Sequence, residues 1–170
     1  MHQERYTGRG IGVAVLDTGI YPHMDFDNRI WMFFDFLSHR SSPYDDNGHG
    51  TCVAGILGGS GKASYGKYKG MAPGCGIVAL KVLDRFGNGN KEDVLRAFRW
   101  LLRYKEQYRI RVVNISVGTT YKTKDEHFAL IQAVEELWDA GLIVVAAAGN
   151  QGPSPGSVTA PGCSKKIITV

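Results

Sequence analysis

The chain has 170 residues, of which 44% are hydrophobic, and it carries a formal net charge of +4. This composition is that of an ordinary globular protein with one substantial core, and it argues against a disordered or fibrous chain. No apolar run approaches the ~20 residues that span a bilayer, so we expect no membrane partner.

The charged residues and the cysteines exclude two further classes of ligand. The densest basic stretch lies within residues 96–111, and it coincides with an amphipathic helical pattern, which favours a solvated helix face over a nucleic-acid stripe. The three cysteines, Cys52, Cys75 and Cys163, are an odd number without metal-type spacing. The cysteines therefore support neither a complete disulfide framework nor a zinc site. From the basic stretch we expect no nucleic-acid partner, and from the cysteines we expect no metal.

Short apolar runs predict five buried strands, at residues 11–16, 76–83, 112–117, 142–148 and 167–170. They are apolar on both faces, as in a parallel sheet that helices cover on both sides. Helical spacing fills two of the gaps, one after Asn90 as a possible N-cap and one before Gly141 as a possible C′ residue. The alternation predicts an α/β fold with an open parallel sheet and right-handed crossovers.

Polar residues that are candidates for a ligand site follow several of these strands. In open parallel sheets, ligand sites form beyond the carboxyl ends of the strands. Asp17 follows the first run, residues 116–118 close the third, and Asn150 comes soon after the fourth. A small-residue helix is predicted at residues 48–59, with His49 at its N-terminal end. Taken singly, Asp17 and Asn150 have structural interpretations as turn or cap residues, and a lone histidine has one as well.

Five phrases, taken together and in order, resemble the subtilisin-like serine proteases, or subtilases. The phrases are Asp17-Thr18-Gly19-Ile20, Asn47-Gly48-His49-Gly50-Thr51 with Val53-Ala54-Gly55, Met71-Ala72-Pro73, Asn114-Ile115-Ser116-Val117-Gly118, and residues 146–150. The resemblance covers residues 8–170. It implies a three-layer α/β fold with a central parallel sheet flanked by helices, and hydrolysis of peptide bonds through an acyl-enzyme with an Asp-His-Ser triad.

The resemblance also implies roles for individual residues. Asp17 would orient His49, His49 would act as general base and then general acid, and Asn150 would bind the oxyanion. The substrate-binding residues implied are Ser116, Val117 and Gly118 on one side of the pocket, Ala147, Ala148 and Gly149 on the other, and Thr159 and Ala160 near the floor. Because both walls are built of small residues, we predict a broad or apolar preference for the side chain before the scissile bond.

The nucleophile motif of the family, Gly-Thr-Ser-x-Ala-Pro, does not occur in this sequence. We therefore expect residues 1–170 to be the N-terminal portion of a single peptidase domain, inactive alone. Its expected partners are a polypeptide substrate and the remainder of the domain, a propeptide or a partner chain. The alternative is a noncatalytic peptide-binding pseudoprotease. A nucleotide-binding domain is disfavoured because no G-x-G-x-x-G turn follows the first strand.

Two departures from the family pattern lead to further predictions. Cys52, three residues past His49, is predicted to be a buried small hydrophobic residue and not a substitute nucleophile. Asp25 stands where many subtilases have an aspartate that binds structural calcium, with Asp27 and Asn28 nearby. The partner loop at residues 58–69 offers serines and lysines but no carboxylate, so a surface turn is preferred to a calcium site. We expect no cofactor.

The loop that ends at Met71-Ala72-Pro73 is similar to that of the calcium-poor intracellular alkaline subtilases. Unpaired cysteines are also more common in reducing compartments. Both observations favour a cytoplasmic location over secretion.

Overall fold

The computed structural model describes residues 6–118 and 124–170, with side chains from residue 127 onward in the second range. In chain order the elements are β1 (Gly12–Asp17), β2 (Ile30–Asp35), α1 (His49–Gly58), a 3₁₀ turn (Lys62–Ser64), β3 (Gly76–Lys81), α2 (Lys91–Tyr104), β4 (Ile110–Ile115), α3 (Lys124–Asp139), β5 (Ile143–Ala146) and β6 (Ile168–Thr169). The strands form one sheet in the order β2-β3-β1-β4-β5-β6, and every pairing is parallel. The predicted α/β architecture is confirmed.

Alternate side chains of the central strands fill two separate cores. Ala14 and Leu16 of β1 point to the face covered by α2 and α3, where they join Phe98 and Leu101 of α2. Val13 and Val15 point to the opposite face, which α1 covers through Ala54. Because both faces of β1 are buried, its residues 13–16 are all apolar. The result is the three-layer arrangement that the sequence predicted.

The strand register brings the ends of three strands to one level. Leu16 of β1 stands beside Ile115 of β4, and Ile115 stands beside Ala146 of β5. The next residues along the chain, Asp17, Ser116 and Ala147, therefore emerge at the same edge of the sheet. This edge is where the polar candidates of the sequence meet.

The structure confirms both predicted helix ends, but it contains one strand that the sequence analysis did not predict. Asn90 caps α2 as predicted, since its side chain accepts a hydrogen bond from Asp93 N at 2.8 Å. Gly141 follows α3 with a positive φ of 86°. Strand β2 was not predicted, although its Ile-Trp-Met-Phe-Phe run is typical of a strand, and it pairs with β3 as the edge of the sheet. Among the described helices, none combines enough length with enough hydrophobicity to cross a bilayer.

Candidate active site

Asp17 and His49 form a hydrogen-bonded pair at the carboxyl end of β1. His49 Nδ1 lies 2.8 Å from Asp17 Oδ1, and the same oxygen accepts a hydrogen bond from Thr18 N at 2.7 Å. The Asp17 side chain is 1% exposed, whereas that of His49 is 56% exposed. A histidine whose Nδ1 is held by a buried carboxylate presents Nε2 as a base, and the carboxylate stabilises the imidazolium that forms.

The other carboxylate oxygen of this pair has no protein donor. Asp17 Oδ2 is buried and lacks a hydrogen-bond partner in the part of the chain that the structure describes. A buried carboxylate oxygen without a donor is costly and is retained at few positions in native proteins. The interaction of Asp17 with His49 is thus formed through one oxygen only, which His49 shares with the backbone of Thr18.

A buried lysine supports the turn that follows Asp17. Lys81, at the end of β3 and beside Asp17 in register, is 2% exposed. Its ammonium donates hydrogen bonds to Thr18 O at 2.6 Å, Leu83 O at 2.7 Å and Asp46 Oδ1 at 2.8 Å. All three N–H donors are satisfied, which is what allows a lysine to be buried here. The sequence analysis missed Lys81, because a charged residue at a strand end suggests an exposed one.

The end of β2 and the loop between β2 and α1 also contain ionisable groups that the sequence analysis missed. Tyr44 donates a hydrogen bond to Asp35 Oδ2 at 2.5 Å. Burial and this contact with Asp35 raise the pKa of Tyr44 to about 12. Burial opposes ionisation of Asp35, but hydrogen bonds from Tyr44 and from the backbone of Ser38 and Leu37 outweigh it and lower its pKa. The pair anchors the segment that leads to His49.

A cleft of about 350 Å³ lies beyond the ends of β4 and β5. One wall is formed by Ser116, Val117, Gly118, Ala147, Gly149, Asn150, Gln151 and Thr159, and the other by Leu83, residues 87–91, Val94 and Leu130. The second wall comes largely from the loop between β3 and α2, which the sequence analysis did not include. A signal was present, because this loop is rich in glycine and asparagine and follows a strand at the same edge of the sheet.

Thr159 crosses the floor of the cleft between two glycines. Thr159 N donates to Ala148 O at 2.9 Å, which ties the floor to the end of β5. A Cβ on Gly118 would stand 2.8 Å from Thr159 Oγ1, and one on Gly149 would stand 2.4 Å from it. The absence of side chains at these two positions therefore makes room for the Thr159 side chain at the floor.

The remaining sequence candidates divide into two groups. Asn150 is exposed and lines the cleft, so its amide is accessible to a ligand there. Ala148 uses its backbone to pair with Val170 and Thr159 and does not line the cleft. Ala160 is fully buried and lies behind the floor.

The surroundings of Asp25 do not fit a calcium ion. Asp25 Oδ1 accepts a hydrogen bond from Ala63 N at 2.7 Å, and Asp25 O accepts one from Arg29 Nη2 at 2.5 Å. Arg29 Nη1 also donates to the carbonyl oxygens of Gly58 and Cys75, at 2.6 and 3.1 Å. A guanidinium and a backbone N–H thus hold the oxygens that a calcium ion would need. Among the described side chains, no three metal-binding groups come together.

The prediction for Cys52 was wrong, because Cys52 is exposed. Helix α1 packs on the sheet through Gly50, Ala54 and Gly58, which are four residues apart and share one face. Cys52 lies on the opposite face of this helix. The buried thiol is Cys75, whose pKa is raised by burial.

Comparisons with known proteins identify the family of the chain. A sequence model of the subtilase family matches residues 8–170. The chain belongs to the subtilase family. It is 43% identical over 169 residues to the serine protease AprX of Bacillus subtilis strain 168, and 36% identical over 146 residues to thermitase of Thermoactinomyces vulgaris. Among solved structures, it superposes on the S41 psychrophilic protease with a TM-score of 0.83 at 34% identity.

These subtilases are longer than the chain. The AprX match covers 96% of this chain but 38% of AprX, and the thermitase match covers 85% of this chain and 49% of thermitase. The superposition on the S41 protease covers 96% of this chain and 53% of that structure. The match thus extends over nearly all of the present residues and about half or less of each subtilase. Membership of the family follows from these comparisons.

Proposed function

We propose that the protein containing this chain is a serine-type endopeptidase that hydrolyses peptide bonds through an acyl-enzyme. The observation that carries the proposal is the contact of 2.8 Å between His49 Nδ1 and the buried Asp17 carboxylate. Such a pair is the part of a triad that activates a hydroxyl. Membership of the subtilase family supports the same reaction.

In the proposed reaction, His49 Nε2 accepts the proton of a serine hydroxyl as the serine attacks the scissile carbonyl. Asp17 holds the imidazole through Nδ1 and stabilises its cation. The side-chain amide of Asn150 donates a hydrogen bond to the oxyanion. His49 then returns the proton to the leaving amine, and water releases the acyl group by the reverse sequence.

The nucleophilic serine belongs, in this proposal, to residues outside these 170. No Gly-Thr-Ser phrase occurs in the sequence, and the match covers 38% of AprX. The isolated chain is therefore proposed to be the N-terminal portion of one peptidase domain and inactive alone. Its partners are the remainder of the domain, a propeptide or a partner chain.

The proposed substrate is an extended polypeptide bound in the cleft, with residues 116–118 pairing as a neighbouring strand. The small walls at Gly118 and Gly149 support a broad or apolar preference at the position before the scissile bond. The protein is proposed to act in the cytoplasm, without calcium at Asp25.

A fluorophosphonate probe tests the proposal on the full-length protein. We expect one serine to be labelled, with labelling lost in His49→Ala and retained in the control His23→Ala, which removes an exposed histidine elsewhere. The 170-residue chain alone is expected to remain unlabelled. If the full-length protein binds peptides but is not labelled, the noncatalytic pseudoprotease is the correct alternative.

A further inference from the structure

The loop before α1 is organised around the carboxylate of Asp45. Asp45 Oδ1 accepts hydrogen bonds from Thr18 Oγ1 at 2.9 Å, Gly48 N at 2.9 Å and Asn47 N at 3.1 Å. Asp45 Oδ2 accepts two more from Thr51, from N at 2.9 Å and from Oγ1 at 2.5 Å. One side chain thus gathers donors from both sides of His49 and from the residue after Asp17.

Thr18 completes the connection from the other side. Thr18 is 1% exposed, and its Oγ1 both donates to Asp45 and accepts a hydrogen bond from Gly50 N at 2.9 Å. The hydroxyl therefore bridges the loop carboxylate and the backbone of α1. Because Thr18 follows Asp17 and Gly50 follows His49, this bridge lies one residue away from each member of the pair.

The first turn of α1 is capped by these same side chains. The first N–H groups of a helix have no partner within it. Here His49 N donates to Asn47 Oδ1 at 3.1 Å, Gly50 N donates to Thr18 Oγ1, and Thr51 N donates to Asp45 Oδ2. The cap residue itself, Gly48, contributes no side chain. The position of the helix start, and with it His49, depends on Thr18 and Asp45.

Close packing leaves the helix start little freedom. A Cβ on Gly50 would stand 2.3 Å from Gly19 O, so the backbone of α1 touches the turn after β1. Asp45 is also held ionised: burial opposes its charge, but the hydrogen bonds from Thr51, Gly48 and Thr18 outweigh burial and lower its pKa to about 2. At neutral pH the carboxylate therefore accepts all five hydrogen bonds.

We propose that Asp45, acting through Thr18 Oγ1, is a positioning residue that sets the orientation of His49 against Asp17. The inference rests on the proposed peptidase function. Neither Asp45 nor Thr18 has a hydrogen bond to the His49 ring among the described contacts, so the effect is transmitted through the backbone of residues 47–51. A small misplacement of a catalytic base costs up to about 100-fold in rate.

The test compares Thr18→Val, Thr18→Ser and Asp45→Asn in the full-length protein. Valine keeps the shape of threonine without the hydroxyl, and serine restores the hydroxyl. Each oxygen of Asp45 accepts a backbone N–H, so in either orientation the amino group of an asparagine at position 45 would face a donor and lose that hydrogen bond. We expect Thr18→Val and Asp45→Asn to lower kcat by about 10- to 100-fold with KM within about twofold, and Thr18→Ser to retain kcat.

A spectroscopic signal distinguishes positioning from a general loss of stability. In the wild-type protein we expect the proton between His49 Nδ1 and Asp17 to give a low-field NMR resonance. We expect this resonance to weaken or shift in Thr18→Val and Asp45→Asn. The matched control is Asp25→Asn, which removes a carboxylate that also accepts a backbone hydrogen bond, from Ala63 N at 2.7 Å, near the end of α1 opposite to His49. The control is expected to lose stability but to keep the resonance and kcat.

The outcomes separate this inference from the proposed function. If wild-type protein is labelled by fluorophosphonate while Thr18→Val and Asp45→Asn keep both kcat and the resonance, the positioning role is overturned and the peptidase remains. If Asp25→Asn lowers kcat as much as Asp45→Asn, the effect is one of stability alone, which also overturns the role. If the wild-type protein is not labelled, the proposed function itself fails.

Discussion

The Oγ1 atom of Thr159 occupies the space that a side chain on Gly149 would need, 2.4 Å from the position of its Cβ. Gly118 approaches the same oxygen, with its Cβ position 2.8 Å away. The two glycines differ in backbone conformation, since Gly149 has a φ of 97°, in the region that side chains disfavour, and Gly118 has no positive φ. A substitution at Gly118 therefore introduces steric crowding alone, whereas one at Gly149 introduces both crowding and backbone strain.

We predict that Gly118→Ala lowers the free energy of unfolding by about 1–3 kcal/mol through crowding, and that adding Thr159→Ala recovers most of the loss. Gly149→Ala is expected to lose a similar amount without recovery in the double variant, because its backbone remains strained. Denaturant titration of the full-length protein measures each value.

Gly55→Ala is the control for these glycine variants, because nothing among the described residues lies within 4 Å of its Cβ position. In the interior of α1 it is expected to raise stability by about 0.5–1 kcal/mol. Equal recovery of Gly118→Ala and Gly149→Ala by Thr159→Ala would contradict the assigned difference between the two glycines.

Asn150→Ala is predicted to lower kcat by about 100- to 1,000-fold while KM changes little, because a donor to the oxyanion acts mainly in the transition state. Steady-state kinetics with a chromogenic peptide measure both parameters. Asn28→Ala, at an exposed position away from the cleft, is the control and is expected to behave as wild type. A change in KM alone would instead make Asn150 a ground-state binding residue.

Asp45 makes the stability of the fold depend on pH in the acid range. Its pKa is lowered from 3.8 to about 2, so the folded state favours the charged form. The contribution is fully present above the unfolded pKa and is lost as the pH falls from about 4 toward 2. We predict that the stability difference between wild type and Asp45→Asn is constant from pH 7 to pH 5 and narrows below pH 4, as measured by denaturant titration. A difference that widens on acidification would contradict this.

The corner around Asp25 is predicted to be held by Arg29 and not by calcium. Arg29→Met leaves the carbonyl oxygens of Gly58, Cys75 and Asp25 without their donor and is expected to cost about 1–3 kcal/mol of stability. Arg99→Met, on the exposed face of α2, is the control. Addition of a chelator is expected to leave the Tm unchanged. A fall in Tm on chelation that disappears in Asp25→Asn would show a calcium ion at this corner.

Much of the architecture was predictable because its signals are local. The apolar runs on both faces of β1 and β3 follow from burial between two layers of helices, and Asn90 caps α2 through a contact three residues away. Asp17 and His49 were predicted as site residues from the motifs around them, and the fold brings their side chains into contact. The sheet edge at which they meet follows from the parallel order of the strands.

The residues that escaped prediction owe their positions to distant contacts. Lys81 is buried only because three acceptors from separate loops surround it, and Asp45 acquires its role through Thr18, 27 residues earlier. The error at Cys52 has the same origin. The small residues of α1 could have packed on several faces, and the contact of Gly50 with the turn after β1 decides which face is buried.

Lys81 links the Asp17–His49 pair to the wall of the cleft through hydrogen bonds. Its three hydrogen bonds end on Thr18 beside the histidine pair, on Asp46 before α1, and on Leu83 at the start of the loop that walls the cleft. Withdrawal of any one acceptor would leave a buried N–H without a partner, at a cost of about 1–3 kcal/mol or more. Lys81 thereby connects the cleft wall at Leu83 to the turn after Asp17 and to the loop before His49. A displacement of the cleft wall by a bound polypeptide would therefore be transmitted to the segments that position His49.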